Sequence, residues 1–127
     1  MNILGIGTDI VSVDRIKKSL KNKNFLSRVF SYKEILKCKK KINGFNCYSK
    51  RFAAKEAFSK ALGTGISKGI RFNEIIILNK KSGKPYISLS GQTKKIIKKK
   101  FKKKKIKISL SLSDETKYAV AFVTISL

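Results

Sequence analysis

The sequence predicts an α+β fold in one domain spanning residues 1–127. Three observations lead there. Alternating, branched runs at 3–13, 74–79, 85–90, 106–113 and 118–125 read as strands, and capped stretches between them read as helices. An apolar content of 42% suffices for a core despite a formal charge of +24. No internal repeat or linker divides the chain, so a helical middle interrupts the strands of one unit.

Each element has its own warrant. In the first strand, Ile3, Gly5, Gly7, Asp9, Val11 and Val13 share one face, so Asp9 lies beside two glycines that leave room for an approach to its carboxylate. Asp14 is placed to cap a short helix with Arg15, Ile16 and Leu20. Ser31 and Glu34 have capping-box spacing, which predicts a helix to about Lys40. After a loop at 41–46, a longer helix runs from about Cys47 to Leu62, with Gly63 placed to end it. A turn-rich segment, 63–69, follows. The strands at 74–79 and 85–90 form a hairpin around Lys80-Lys81-Ser82-Gly83. Ser90 or Gly91 opens a lysine-rich helix with a thin stripe of Ile96, Ile97 and Phe101. A second hairpin turns at 114–117.

Composition excludes several chemistries. Without His there is no Ser-His-Asp or Cys-His catalysis, and the commonest metal ligand is missing. Cys38 and Cys47 form no CxxC, cannot complete a zinc site and read as reduced thiols of a cytoplasmic protein. No apolar run approaches the roughly 18 residues of a membrane span, and the N-terminal residues do not have the pattern of a signal peptide. The charge is mostly lysine, 27 Lys to 4 Arg, whereas nucleic-acid readers lean on Arg for bidentate contacts. Ten Lys between Lys94 and Lys107, with Phe101 the sole aromatic among them, fit a solvated helix face or a salt-sensitive nucleic-acid surface.

With only seven acids, each can be weighed. Asp14 and Glu34 have capping roles, Glu74 and Glu115 sit at strand edges in water, and Asp114 lies in a turn. Asp9 and Glu56 remain. Glu56 shares a helix face with Phe52, Ala53 and Lys60, and two readings stand. One is an i,i+4 ion pair with Lys60. The other makes Asp9 and Glu56 hard oxygen ligands for Mg²⁺, with Arg51, Lys55 and Lys60 around a polyphosphate. Gly5-Ile-Gly7 and the 63–69 segment match neither a Rossmann fingerprint nor a Walker A loop.

Gly5-Ile-Gly-Thr-Asp9-Ile-Val with Arg15-Ile16 resembles the first motif of the holo-[acyl-carrier-protein] synthase family. Arg51-Phe-Ala-Ala-Lys-Glu56-Ala-Phe-Ser-Lys60-Ala-Leu-Gly63-Thr-Gly65-Ile resembles the second, longer motif almost throughout. Gly83-Lys84-Pro85-Tyr and Ser109-Leu-Ser-Leu-Ser-Asp114…Tyr118-Ala-Val-Ala follow in the family's order. The resemblance implies a 4′-phosphopantetheinyl transferase-like fold, with an antiparallel sheet and a long central helix. It implies transfer of phosphopantetheine from coenzyme A to a serine of apo-acyl carrier protein, releasing adenosine 3′,5′-bisphosphate, in fatty acid biosynthesis. By the same resemblance Asp9 and Glu56 bind magnesium and Lys60 meets the diphosphate. Arg51 lies near the 3′-phosphate, Gly63, Lys84 and Pro85 line the coenzyme site, and Arg15 docks the acidic carrier protein. Short family members are homotrimers with sites between subunits. Many relatives have His where this chain has Asp114, and a carboxylate there would repel the 3′-phosphate. The competing class is a nucleic-acid-binding module built on the Lys94–Lys107 helix.

Overall fold

A computed structural model describes residues 2–63 and 69–127. The α+β expectation holds, with the strands divided between two antiparallel sheets. β1 (Ile3–Ser12) pairs with β5 (Tyr118–Ser126), and β5 pairs with β4 (Lys107–Asp114), giving the order β1-β5-β4. β2 (Ile75–Asn79) and β3 (Pro85–Leu89) make a separate hairpin.

The centre of the fold is α4 (Gly44–Leu62), which packs on β1 and β5. Its fully or nearly buried Ala53, Ala54, Ala57 and Ala61 present short side chains, so the helix comes close to the sheet. Gly5 and Gly7 let β1 meet it: a Cβ at Gly5 would collide with the Ala61 carbonyl, and one at Gly7 with the Ala57 carbonyl. The space beside Asp9 is thus filled in part by the backbone of α4. β5 alternates as far as Ile125, with Ala119, Ala121, Val123 and Ile125 buried and Tyr118, Val120 and Phe122 exposed. Gly63 ends α4 in the left-handed conformation, φ +79°, where a Cβ would be strained.

Helices on the far side of α4 fix its orientation. α1 (Val13–Ser19) is capped by the Ser12 hydroxyl, which accepts from the Arg15 N–H at 3.4 Å. Asp14 is not the cap; it sits in the first turn, where the helix dipole favours a negative charge. α2 (Lys23–Val29), with Asn22 as its cap, has no counterpart in the sequence reading. α3 (Tyr32–Lys39) begins with the expected reciprocal box between Ser31 and Glu34. Four rings, Phe25, Phe30, Phe52 and Phe72, meet between α2, α4 and the 3-10 turn at Phe72–Glu74.

Two expectations are corrected here. Glu74 is not a solvated strand edge: its carboxylate accepts the Gln92 and Thr93 N–H groups at 3.1 and 3.0 Å and so caps α5 (Gly91–Lys100). The open N-terminal amides of a helix need such an acceptor, and Ser90 makes no side-chain cap. Cys38 and Cys47 are bonded to each other instead of being free thiols, because the end of α3 and the start of α4 bring their Cα atoms to 5.4 Å. Of the 63–69 turn segment, residues 64–68 lie outside the described residues.

Candidate active site

Asp9 and Lys60 meet where β1 crosses the last turns of α4. The Lys60 Nζ donates to Asp9 Oδ1 at 3.2 Å and to the Thr8 carbonyl at 2.9 Å. The Lys60 side chain is 56% exposed and that of Asp9 only 17%, so an exposed cation covers a more deeply seated carboxylate. Glu56, one turn before Lys60, is half-buried. Burial, and then the charge of Asp9, push its carboxyl above the usual value, while Lys60 opposes them. Glu56 makes no ion pair with Lys60 within salt-bridge distance; Lys60 turns to Asp9 instead. Two carboxylates that repel each other, in reach of solvent, are a donor set for a hard divalent cation. No cluster of three or more His, Cys, Asp or Glu exists among the described residues, which leaves coordination open to phosphate oxygens or water.

Arg51 points into a different region. It lines a cavity of about 350 Å³ with Lys37, Lys41, Lys50, Asn79 and Asp114. The residue is 4% exposed: Nη1 donates to the Cys47 carbonyl at 3.3 Å and Nη2 to Asn79 Oδ1 at 2.9 Å, while Nε has no partner. Burial lowers its pKa and the Glu34 charge raises it. Asp114 does not lie in a turn but closes β4, where Asn46 donates to its Oδ2 at 3.0 Å and Lys50 stands 3.5 Å from Oδ1. Its charge is thus offset by Lys50, and the cavity remains strongly cationic.

The remaining residues are distributed around these two regions. Arg15 is exposed on α1, one turn beyond the strand that carries Asp9. Gly63 follows directly on the helix end that carries Lys60. Lys84 and Pro85 lie on the β2–β3 hairpin, where the Lys80 N–H donates to the Lys84 carbonyl and Pro85 faces Asn79. Asn79 was not singled out from sequence, yet its side chain joins Lys37, Arg51 and the Gly83 carbonyl. An Asn at the last position of a strand, before a lysine-rich turn, gives no signal of that role in sequence.

Lys55 is a correction. It cannot surround a polyphosphate, since its side chain is fully buried. Its ammonium donates to Glu34 Oε1 and the Phe72 carbonyl, both at 2.8 Å, and to the Ile75 carbonyl. Burial lowers its pKa to about 8, against the pull of Glu34. Glu34 also accepts from the Ile77 and Ser31 N–H groups, so one ion pair ties α3, α4 and β2 together.

Comparison with known proteins shows the family. The model of the 4′-phosphopantetheinyl transferase superfamily matches residues 5–123. A holo-[acyl-carrier-protein] synthase of Pelagibacter ubique is 56% identical over 123 residues, 97% of this chain and 96% of that protein. The crystal structure of the holo-[acyl-carrier-protein] synthase from Neisseria meningitidis superposes with a TM-score of 0.86 at 38% identity, over 99% of this chain and 100% of that one. The Helicobacter pylori holo-[acyl-carrier-protein] synthase, solved in complex with coenzyme A, gives 0.79 at 38% identity over 95% and 99% of the two chains. This chain belongs to the holo-[acyl-carrier-protein] synthase family of the 4′-phosphopantetheinyl transferase superfamily.

Proposed function

We propose that the protein transfers 4′-phosphopantetheine from coenzyme A to a serine of apo-acyl carrier protein, releasing adenosine 3′,5′-bisphosphate, in support of fatty acid biosynthesis. The observation that carries this reading is the grouping of Asp9, Glu56 and Lys60 on tightly packed β1 and α4, in a chain of this family. The relatives' coenzyme A complexes support the same substrate here.

Asp9 and Glu56 fit Mg²⁺, as a paired set of carboxylates whose mutual repulsion a cation would relieve. When bound, the ion would supply Lewis-acid neutralisation of the coenzyme's pyrophosphate. Lys60 is long and exposed enough to leave Asp9 and meet phosphate oxygens, placing positive charge where the departing bisphosphate accumulates negative charge. Arg51, with Lys37 and Lys50, supplies a cationic pocket suited to a phosphate monoester such as the 3′-phosphate. Lys84 and Pro85 would flank the coenzyme from the hairpin, and Arg15 on α1 would meet an acidic carrier protein. The serine nucleophile comes with that partner, so the chain needs no nucleophile-base pair of its own.

The assembly proposed is a homotrimer with each site between subunits. Two features support it. The Arg51 cavity and the Asp9–Glu56–Lys60 group are separate within one chain, sharing no residue. The outer face of the three-stranded sheet exposes Leu4, Ile6, Ile10, Val120 and Phe122, with Ile10 paired to Val120 in register. Cytoplasmic placement is part of the same reading. No helix among the described residues is long and apolar enough to cross a membrane.

The test is the mass of apo-acyl carrier protein incubated with coenzyme A, Mg²⁺ and this protein. A gain equal to phosphopantetheine that disappears with a chelator is expected; an unchanged mass rejects the function. Sedimentation of the wild type as a trimer, and of Ile10→Glu as a smaller species, checks the assembly. Tight, salt-sensitive nucleic-acid binding that ignores Asp9 would favour the competing module instead.

A further inference from the structure

A second cavity, about 650 Å³ in volume, opens between β3, α5 and the start of β4 and shares no residue with the Arg51 cavity. Its floor is apolar: Ile87 and Leu89 from β3, Ile97 from α5, Phe101 just after it, and Ile106 and Ile108 at the start of β4. Most of these side chains are only partly buried and rest on the main core, so the floor is an uncovered extension of it. Lysines form the rim, namely Lys94, Lys98, Lys103, Lys104 and Lys105, and no acid lines the cavity.

The rim is held in place by a turn of unusual geometry. Lys102 and Lys103 both adopt left-handed φ values, 53° and 63°, which residues with a Cβ seldom do in succession. Hydrogen bonds fix them there: the Lys102 N–H donates to Lys99 O at 3.1 Å, Lys103 to Lys98 O at 2.8 Å and Lys104 to Phe101 O at 3.0 Å. The chain thereby folds back at the end of α5 and sets Lys103–Lys105 over the apolar floor. A lysine run that only kept the protein in solution would need neither that turn nor a hollow beneath it.

A nucleic-acid surface would offer stacking rings, and Phe101 is the single ring in the cavity. An aliphatic trough rimmed by cations matches a different chemistry: a long hydrocarbon chain ending in an anion. Its volume lies in the range of small-molecule sites, about 300–1,000 Å³. We propose that this cleft binds a long-chain fatty carboxylate, the alkyl chain along the isoleucine floor and the carboxylate among the rim lysines. The occupant is held by burial and charge alone, with no bond made or broken. Such binding stands whatever reaction the Asp9 site performs.

The experiment titrates the full chain with cis-parinaric acid, a fluorescent polyene fatty acid, at low ionic strength. Saturable binding at one site per chain is expected, with a Kd on the order of 10–100 μM. Lys98→Glu combined with Lys104→Glu changes only exposed positions, keeps the fold by circular dichroism, and should weaken binding at least about tenfold. Ile106→Trp, which fills the cleft and leaves every charge in place, should weaken it as much. The proposal is overturned if the wild type shows no saturation, or if either variant binds within about threefold of it. It is equally overturned if dodecyltrimethylammonium displaces the probe as well as dodecanoate does, since the rim lysines would then select nothing. Sedimentation with phosphatidylglycerol vesicles without saturable parinarate binding would reject the cleft in favour of a membrane surface.

Discussion

Gly7 on β1 lies so near the carbonyl of Ala57 on α4 that a methyl group at position 7 would overlap the oxygen. The contact involves two backbones, which cannot move apart without opening the core. It also sets the distance between Asp9, two residues further along β1, and Glu56, the residue before Ala57. Gly7→Ala should therefore destabilise the fold by about 3 kcal/mol or more and reduce activity even in the fraction that folds. Urea denaturation beside turnover measures both. A variant of wild-type stability would mean that the helix and strand are not seated as described.

Glu56→Gln tests the metal assignment with almost no change of shape. The side chain is half-buried beside a second carboxylate, so removing its charge relieves repulsion and leaves stability equal or higher. Turnover with coenzyme A should nevertheless fall at least about 10²-fold, and the Mg²⁺ dependence should shift to higher concentration. Near-normal kcat with an unaltered Mg²⁺ requirement rejects the ligand role.

Lys55 and Glu34 form a fully buried ion pair whose loss should act on the fold and not on catalysis. Lys55→Met strands the Glu34 carboxylate in the core and should cost about 3–5 kcal/mol. The double variant Lys55→Met/Glu34→Gln should cost clearly less than the two single changes added together, because no unpaired charge remains. A double-mutant cycle in urea reads this coupling, and strict additivity contradicts it.

Glu74 gives the pH prediction. Slight burial pushes its carboxyl up, but the hydrogen bonds from Thr93 and Gln92, helped by Arg71, outweigh it and hold the pKa below the ordinary 4.5. A carboxylate favoured in the folded state adds stability that is fully present above 4.5 and fades as the pH falls through its lowered folded value. Glu74→Gln should thus lower Tm at pH 7 and converge on the wild type as the pH falls below the lowered folded pKa. A Tm difference that stays constant across that range would remove the charge from the explanation.

Local signals were readable wherever one residue's own conformation decides the outcome. Ser31 with Glu34 marked a helix start and Gly63 a helix end, because a cap needs only its nearest neighbours. The alternation at 118–125 marked a strand for the same reason. The scarcity of acids drew attention to Asp9 and Glu56, and family resemblance supplied their roles. Lys55 and Lys60 carry the same charge on the same helix five residues apart, and nothing local separates them. Lys55 faces Glu34 and two carbonyls from other elements, while Lys60 faces water and Asp9. Glu74 likewise becomes a cap only because the chain returns, some eighteen residues later, to place the start of α5 against it.

The sequence by itself determined the fold class, most of the element order and the family, and it singled out Asp9 and Glu56 as candidate metal ligands. Those follow from periodicity, capping and motif, which are properties of neighbouring residues. Only the tertiary structure decided which lysine is structural, that Cys38 and Cys47 bond, that Asp114 pairs with Lys50 and accepts from Asn46, and that Arg51 and Asp9 lie in separate regions of one chain. Each of these depends on burial and on partners distant in sequence, and the energy of a charge is set by what surrounds it.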